Sequence, residues 1–237
     1  MIYRIESRQN QKIKDLVKLS NSKYSKEEQL FKIEGYHAFE IARNSGSLVS
    51  VFTTKEIKDL DVPQYIVSDE IMESISSSKS PQGIICVCNY IKEKEISSEK
   101  VLLLDNVSDP GNLGTLLRTA LAFGYNDVIL VDGCSQYNEK VLQATQGAIF
   151  SLNIVNHFDK DKLKEYKLIA TEIKGSEDLS SIKKVGKHIL VLGNEAHGVS
   201  KELLEIAHKR IRINIENIES LNVAVAGAIT MYSLSQK

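Results

Sequence analysis

No run of about eighteen apolar residues occurs anywhere in the 237-residue chain, so no membrane-spanning helix is expected. Met1 to Arg8 is charged and lacks the apolar core of a secretory leader, which points to a cytoplasmic protein. Cysteine is scarce. Cys86, Cys88 and Cys134 make an odd number, and the first two alternate along an apolar run, facing one side of a strand. They read as reduced core residues. The five histidines, His37, His157, His188, His197 and His208, have no metal-ligand spacing to one another or to cysteine, so no metal is expected. Charge of one sign is also missing, since 30 basic residues face 31 acidic ones. A nucleic-acid partner would therefore have to meet a local patch.

What is present is an ordinary globular composition, 42% hydrophobic, enough for one large domain or two small ones. From Met1 to Lys32, eight basic residues face four acidic ones, a local cationic excess that also suits a solvated helix face. Apolar spacing at Ile13, Leu16, Val17 and Leu19 predicts a helix, and Phe39, Ile41 and Ala42 predict a second, ending at Asn44, Ser45 and Gly46. Strand-length apolar runs follow at Leu48 to Phe52, Tyr65 to Val67 and Gly83 to Val87. The charged stretch Ile91 to Lys100 has little to bury and marks a linker or a domain edge.

Beyond it, strands are expected at Val101 to Leu104, Val128 to Val131, Leu168 to Ala170 and Ile189 to Leu192, with helical stretches such as Leu113 to Phe123 between them. Such alternation gives a parallel sheet wrapped by helices. Ligands in these sheets bind beyond the carboxyl ends of the strands, which directs attention to the segments leaving Leu104, Leu192 and Ile215.

The first runs from Asp105 to Gly124. Pro110 and Gly111 turn the chain, Asn112 or Asp109 can cap, and the following helix places Arg118 less than two turns beyond Asn112. Its glycines fit neither G-x-G-x-x-G nor Gly-Lys-Ser/Thr, so a nicotinamide-dependent oxidoreductase and a P-loop enzyme lose support. The second, Val191 to Ser200, sets Glu195 between Gly193 and Gly198, where backbone can approach a ligand and a carboxylate can orient it; Ser200 can cap the next helix. The third, Ile218 to Ile229, is small and apolar nearly all round, which predicts burial, yet opens with Ser220 and Asn222. With Ser220 as the cap, Asn222 lies on the first turn beside unpaired N–H groups. Ala224, Ala226, Gly227 and Ala228 would let another element approach closely.

Together the three segments resemble the SpoU, or TrmH, family of RNA ribose 2′-O-methyltransferases of the SPOUT superfamily. The matching motifs are N-x-x-D-P-x-N-L-G-x-x-x-R-T-A-x-x-F from Asn106 to Phe123, L-G-N-E-x-x-G from Leu192 to Gly198, and S-L-N-V-A-V-A from Ser220 to Ala226. Phe31 to Gly35 and Pro81 to Gly83 look like that family's small N-terminal RNA-binding domain.

The resemblance implies an α/β fold in two parts. Residues 1–95 would form an α/β/α RNA substrate-binding domain, and 96–237 a parallel-sheet SPOUT methyltransferase domain whose C-terminal helix is threaded into a deep trefoil knot. The knot would bind S-adenosyl-L-methionine through backbone at Gly193 and Leu221, with Ile213 as an apolar neighbour. Asn112, Arg118, Glu195, Ser220 and Asn222 match the polar positions of the reaction centre. The segment Ile213 to Glu219 lacks the family's Pro and Gly and is one residue shorter, so Ile211 is the other candidate for the apolar position. The implied activity is methyl transfer to a ribose 2′-hydroxyl of structured RNA, ribosomal before transfer RNA, by a homodimer. A non-catalytic RNA-binding protein that keeps the fold is the competing class. Arg118 suits a phosphate clamp better than a base, because a guanidinium does not give up its proton. Arg8, Lys12 and Lys14 are the candidate phosphate contacts of the N-terminal part.

Overall fold

The computed structural model describes residues 1–173, 176–182 and 185–236. The chain forms two compact units, one of Met1–Lys92 with Tyr137–Phe150, the other of Glu93–Gln136 with Ser151–Lys237. The span expected as 96–237 thus includes a segment, Tyr137–Phe150, that packs within the first unit.

The first unit contains β1 (Ile2–Ile5), α1 (Gln11–Lys18), α2 (Ser22–Glu28), β2 (Leu30–Glu34), α3 (Tyr36–Ser45), β3 (Leu48–Thr53), β4 (Gln64–Val67), α4 (Asp69–Ile75) and β5 (Ile84–Asn89). Its five strands lie in the order β1-β4-β3-β5-β2, with β5 antiparallel to both neighbours. Strand alternation sorts the side chains. Ile85 and Val87 of β5 join Phe52 in a core with Ile13 and Leu16 of α1 and Ile71 and Met72 of α4. Cys86 and Cys88 lie fully buried on the opposite side, and burial pushes the Cys88 thiol up to about 12, so both stay protonated. Val17, expected in the core, is 46% exposed, because the buried stripe of α1 runs through Ile13, Leu16 and Leu19 instead.

The second unit contains β6 (Lys100–Asp105), α5 (Pro110–Ala122), β7 (Asp127–Val131), then, past α6 (Glu139–Thr145) of the first unit, β8 (Asn153–Val155), β9 (Lys167–Thr171), β10 (Glu177–Asp178), β11 (His188–Leu192), α7 (Lys201–Ile206), β12 (Lys209–Arg212) and α8 (Val223–Ser235). Its seven strands, all parallel, lie in the order β10-β12-β9-β11-β6-β7-β8. Val-Leu-Leu-Leu of β6 and Ile-Leu-Val-Leu of β11 are buried along their length, as strands covered on both faces must be. The charged stretch before β6 is pinned rather than loose. Ser97 and Ser98 donate backbone N–H groups to Asp127 at 3.0 and 2.7 Å, and Lys94 bonds Asn153 at 2.8 Å.

Chain order reverses around β6, which pairs with β11 on one side and β7 on the other, so the loops leaving β6 and β11 emerge side by side. Helix α8 packs on α5 and on β11, and Gly227 sets the distance. A Cβ there would stand 2.5 Å from Leu116 Cδ2 and 2.6 Å from Leu192 Cδ1. Only this face of α8 is buried. Val225, Ile229 and Tyr232 are 49, 41 and 56% exposed, contrary to the all-round burial its composition predicts. Gly227→Val is expected to destabilise the fold by about 1–3 kcal/mol through overpacking, read as a lower urea midpoint; an unchanged midpoint would show that α8 sits less tightly than this.

Candidate functional site

The loops beyond β6, β7 and β11 are tied to one another by their own backbone and short side chains. Asn106 (φ 55°) donates its N–H to Val131 O at 2.7 Å, and Cys134 N–H reaches Val107 O at 2.9 Å. Asp105 accepts the N–H of Ser200 at 2.7 Å. Ser200 occupies the N-cap position of α7, but its side chain makes no capping bond. Between Gly193 and Gly198 the β11 loop folds back on itself, with Asn194 and Gly198 exchanging backbone bonds of 2.9 Å each. Gly193 permits this: a Cβ there would lie 2.1 Å from the Gly198 carbonyl carbon. Asn194, which no sequence argument singled out, clamps the two loops. Its amide nitrogen donates to Asn106 O at 2.8 Å and Ser108 Oγ at 2.9 Å, while its oxygen accepts the N–H groups of Ala196 and His197.

This fold-back aims Glu195 at the start of α5. Its carboxylate accepts the backbone N–H of Ser108 at 3.2 Å and of Asp109 at 3.1 Å, and the side-chain amide of Asn112 at 3.0 Å. Asp109 caps α5 by accepting from Asn112 N–H at 2.8 Å, which leaves the Asn112 side chain free for Glu195. The Asn112 oxygen in turn accepts from the Asn222 amide at 2.9 Å. Asn222, not Ser220, caps α8: its oxygen takes the N–H groups of Ala224 and Val225 at 2.9 and 3.3 Å, because the helix begins at Val223. Three of the five expected polar residues thus form one hydrogen-bonded chain. Partial burial of Glu195 would raise its pKa, but the donors, led by Asn112, outweigh it and hold the carboxyl below its ordinary value of 4.5.

The other two stand apart. Arg118 is exposed on α5 and its side chain bonds no other described residue; six residues along the helix from Asn112, it points about 120° away from it. Ser220 is exposed and likewise unbonded among described residues. Gly193 lies in the β11 loop, Ile213 is half-buried just past β12, Ile211 is buried within β12, and Leu221 immediately precedes the α8 cap. Of the N-terminal candidates, Lys12 and Lys14 are exposed, whereas the Arg8 guanidinium already donates to Glu70 O at 3.0 Å.

From Glu216 to Leu221 the backbone makes no hydrogen bond to any described residue. Glu216 to Ser220 are exposed and Leu221 is half-buried. Among the described residues no group of three or more His, Cys, Asp or Glu could hold a metal, and no helix is long and apolar enough to cross a membrane.

A parallel sheet with its polar cluster at the point where strand order reverses defines an α/β enzyme with a ligand site beyond the strand ends. Residues 99–232 match the SpoU rRNA Methylase family and residues 10–86 the MRM3-like substrate binding domain, so the chain belongs to the SpoU methylase family. It is 36% identical, over 97% of its length and 98% of the relative's, to the 23S rRNA (guanosine(2553)-2′-O)-methyltransferase RlmP of Bacillus subtilis. The AdoMet-bound rRNA methyltransferase from Sinorhizobium meliloti superposes with a TM-score of 0.90 at 25% identity, covering 99% of this chain and 98% of that one. The SpoU methyltransferase AviRb from Streptomyces viridochromogenes shares the fold, with a TM-score of 0.85 at 17% identity over 96% of this chain and 98% of its own.

Asn112→Asp would set a second carboxylate against Glu195. At neutral pH both are charged, so a lower melting temperature is expected at pH 7, with the deficit shrinking as the pH falls and the pair takes up a shared proton. The wild type, with its Glu195 pKa lowered, keeps the contribution of this network above 4.5 and loses it only as the pH falls through the lowered value. A pH-independent deficit in melting experiments would contradict the Asn112–Glu195 contact.

Proposed function

We propose that the protein transfers a methyl group from S-adenosylmethionine to a ribose 2′-hydroxyl of ribosomal RNA, in the cytoplasm. The observation that carries this reading is the Asn222–Asn112–Glu195 chain at the carboxyl ends of the sheet, built from the family's motif residues. Membership of the SpoU rRNA Methylase family and 36% identity to a 23S rRNA 2′-O-methyltransferase support it.

When bound, S-adenosylmethionine supplies a methyl group already activated by the positive charge of its sulfonium. Backbone at Gly193 and Leu221, with Ile213 as an apolar neighbour, would hold the cofactor. Glu195 fixes the start of α5 and, through Asn112, the cap of α8, so the loops bordering the ribose keep one geometry. Arg118, exposed and uncommitted among described residues, clamps an RNA phosphate with its planar fork. It does not accept the hydroxyl proton, which passes to phosphate or water. Ser220, equally uncommitted, orients the hydroxyl or the methionine end of the cofactor. The C-terminal segment that ends in α8 would be threaded to make the knot that the family resemblance implies. Residues 1–95 would bind substrate, with Lys12 and Lys14 facing phosphates, and 96–237 would carry the transfer.

Labelled methyl transfer to unmodified ribosomal and transfer RNA tests the reading. Label on ribose of ribosomal RNA is expected, with about a hundredfold lower kcat/KM for Arg118→Lys and unchanged cofactor affinity. Cofactor binding without transfer to either RNA would favour a binding protein instead.

The exposed stripe of Val225, Ile229 and Tyr232 supports a homodimer packed through α8. Ile229→Glu is expected to convert dimer to monomer in sedimentation equilibrium; a monomeric wild type would exclude this interface.

A further inference from the structure

A cleft of about 140 Å³ opens within the first unit, where β2 and the start of α3 meet α6; Lys32, Glu34, Ala38, Gln82, Glu139 and Gln143 line it. The residues expected to serve methyl transfer all lie in the second unit.

Its polar groups are only partly used. The Lys32 side chain is 5% exposed, pairs with Glu139 at 2.9 Å and touches Ile75 O at 3.5 Å, which leaves the third donor of its ammonium without a described partner. Glu34 accepts from the Ser76 hydroxyl, the Ser77 N–H and the Ser77 hydroxyl. Gln82 accepts from Tyr36 N–H at 3.1 Å and keeps both amide donors; Gln143 donates to Ser77 Oγ at 2.9 Å and keeps its oxygen. Two carboxylates against one ammonium repel phosphate. What remains is the third Lys32 donor, the two amide donors of Gln82 and the oxygen of Gln143 around a small space, a set complementary to the hydrogen-bonding edge of a heterocycle. A cavity of about 150 Å³ takes a benzene ring, so at about 140 Å³ this cleft matches the size of a single six-membered ring better than that of a fused purine.

From this we infer that the cleft between β2, α3 and α6 is a recognition pocket for one unstacked pyrimidine base of the RNA substrate. The inference rests on the reading of the protein as an RNA methyltransferase, and adds where and what it reads. A base taken from a loop into this pocket would fix which RNA is presented, at a place with no part in the transfer itself.

The test is saturation-transfer NMR on the full chain, with S-adenosylmethionine present to fill the cofactor site and uridine, cytidine, adenosine and guanosine as probes. Saturation of uridine or cytidine ring protons is expected, lost in Ala38→Leu, which fills the cleft, and weakened in Gln143→Ala, which removes the amide and its bond to Ser77. Absence of pyrimidine saturation, or saturation undiminished in both variants, would overturn the inference. In parallel, the KM for unmodified ribosomal RNA should rise about tenfold in each variant, the worth of one base-edge contact, with cofactor affinity unchanged. Wild-type transfer with unaltered variant KM would reject the pocket alone; absent wild-type transfer would reject the methyltransferase reading, while the nucleoside experiment still decides the pocket.

Discussion

One carboxylate, that of Glu195, sets the geometry on which the candidate site depends. It gathers two backbone N–H groups and one side-chain amide from the loop and first turn that follow β6. Because an amide donates at one end and accepts at the other, the direction of bonding passes through Asn112 to Asn222 and into the first N–H groups of α8. Such a chain couples the orientation of each side chain to that of its neighbours, so turning one breaks the bond to the next. Glu195 can reach so far only because β6 and β11 are adjacent and parallel, and because Asn194 ties their loops together from the other side.

Close approach of backbone is the second requirement. Gly193 lets the β11 loop fold against Gly198, which turns Glu195 toward α5, and Gly227 lets α8 lie directly on Leu116 and Leu192. The polar entrance of an otherwise apolar helix follows from this. Asn222 must satisfy the first N–H groups of α8 and reach Asn112 at once, and a residue with both a donor and an acceptor on one short side chain does so.

Packing and sequence kinship divide the chain differently. Tyr137–Phe150 falls inside the stretch that matches the methylase family, yet it packs with the first unit, where the rings of Tyr137 and Phe150 lie tilted against Phe31 and Glu139 pairs with buried Lys32. A buried ion pair of this kind contributes little net stability, but removing either partner strands a charge, so it fixes which surfaces meet. The cleft beside it exists only because both stretches of chain contribute to its walls.

Much of this was legible from the chain alone. Continuous apolar runs marked the buried strands β6, β7, β9 and β11, since a strand covered on both faces needs no alternation; the motif residues after β6 and β11 and before α8 stood out because their polarity had no packing reason. Short or edge strands such as β1, β8 and β10 left no such mark, for they bury little. Ser220 was expected to cap α8, with Asn222 on the first turn, and either Asn112 or Asp109 to cap α5. Only the folded chain chose, because a cap is selected by where the helix begins and by what else the side chain can reach. Likewise composition made α8 apolar all round, but which face is buried and which is left exposed at Val225, Ile229 and Tyr232 was decided by the contact of Gly227 with α5 and β11, a tertiary distance that no local pattern encodes.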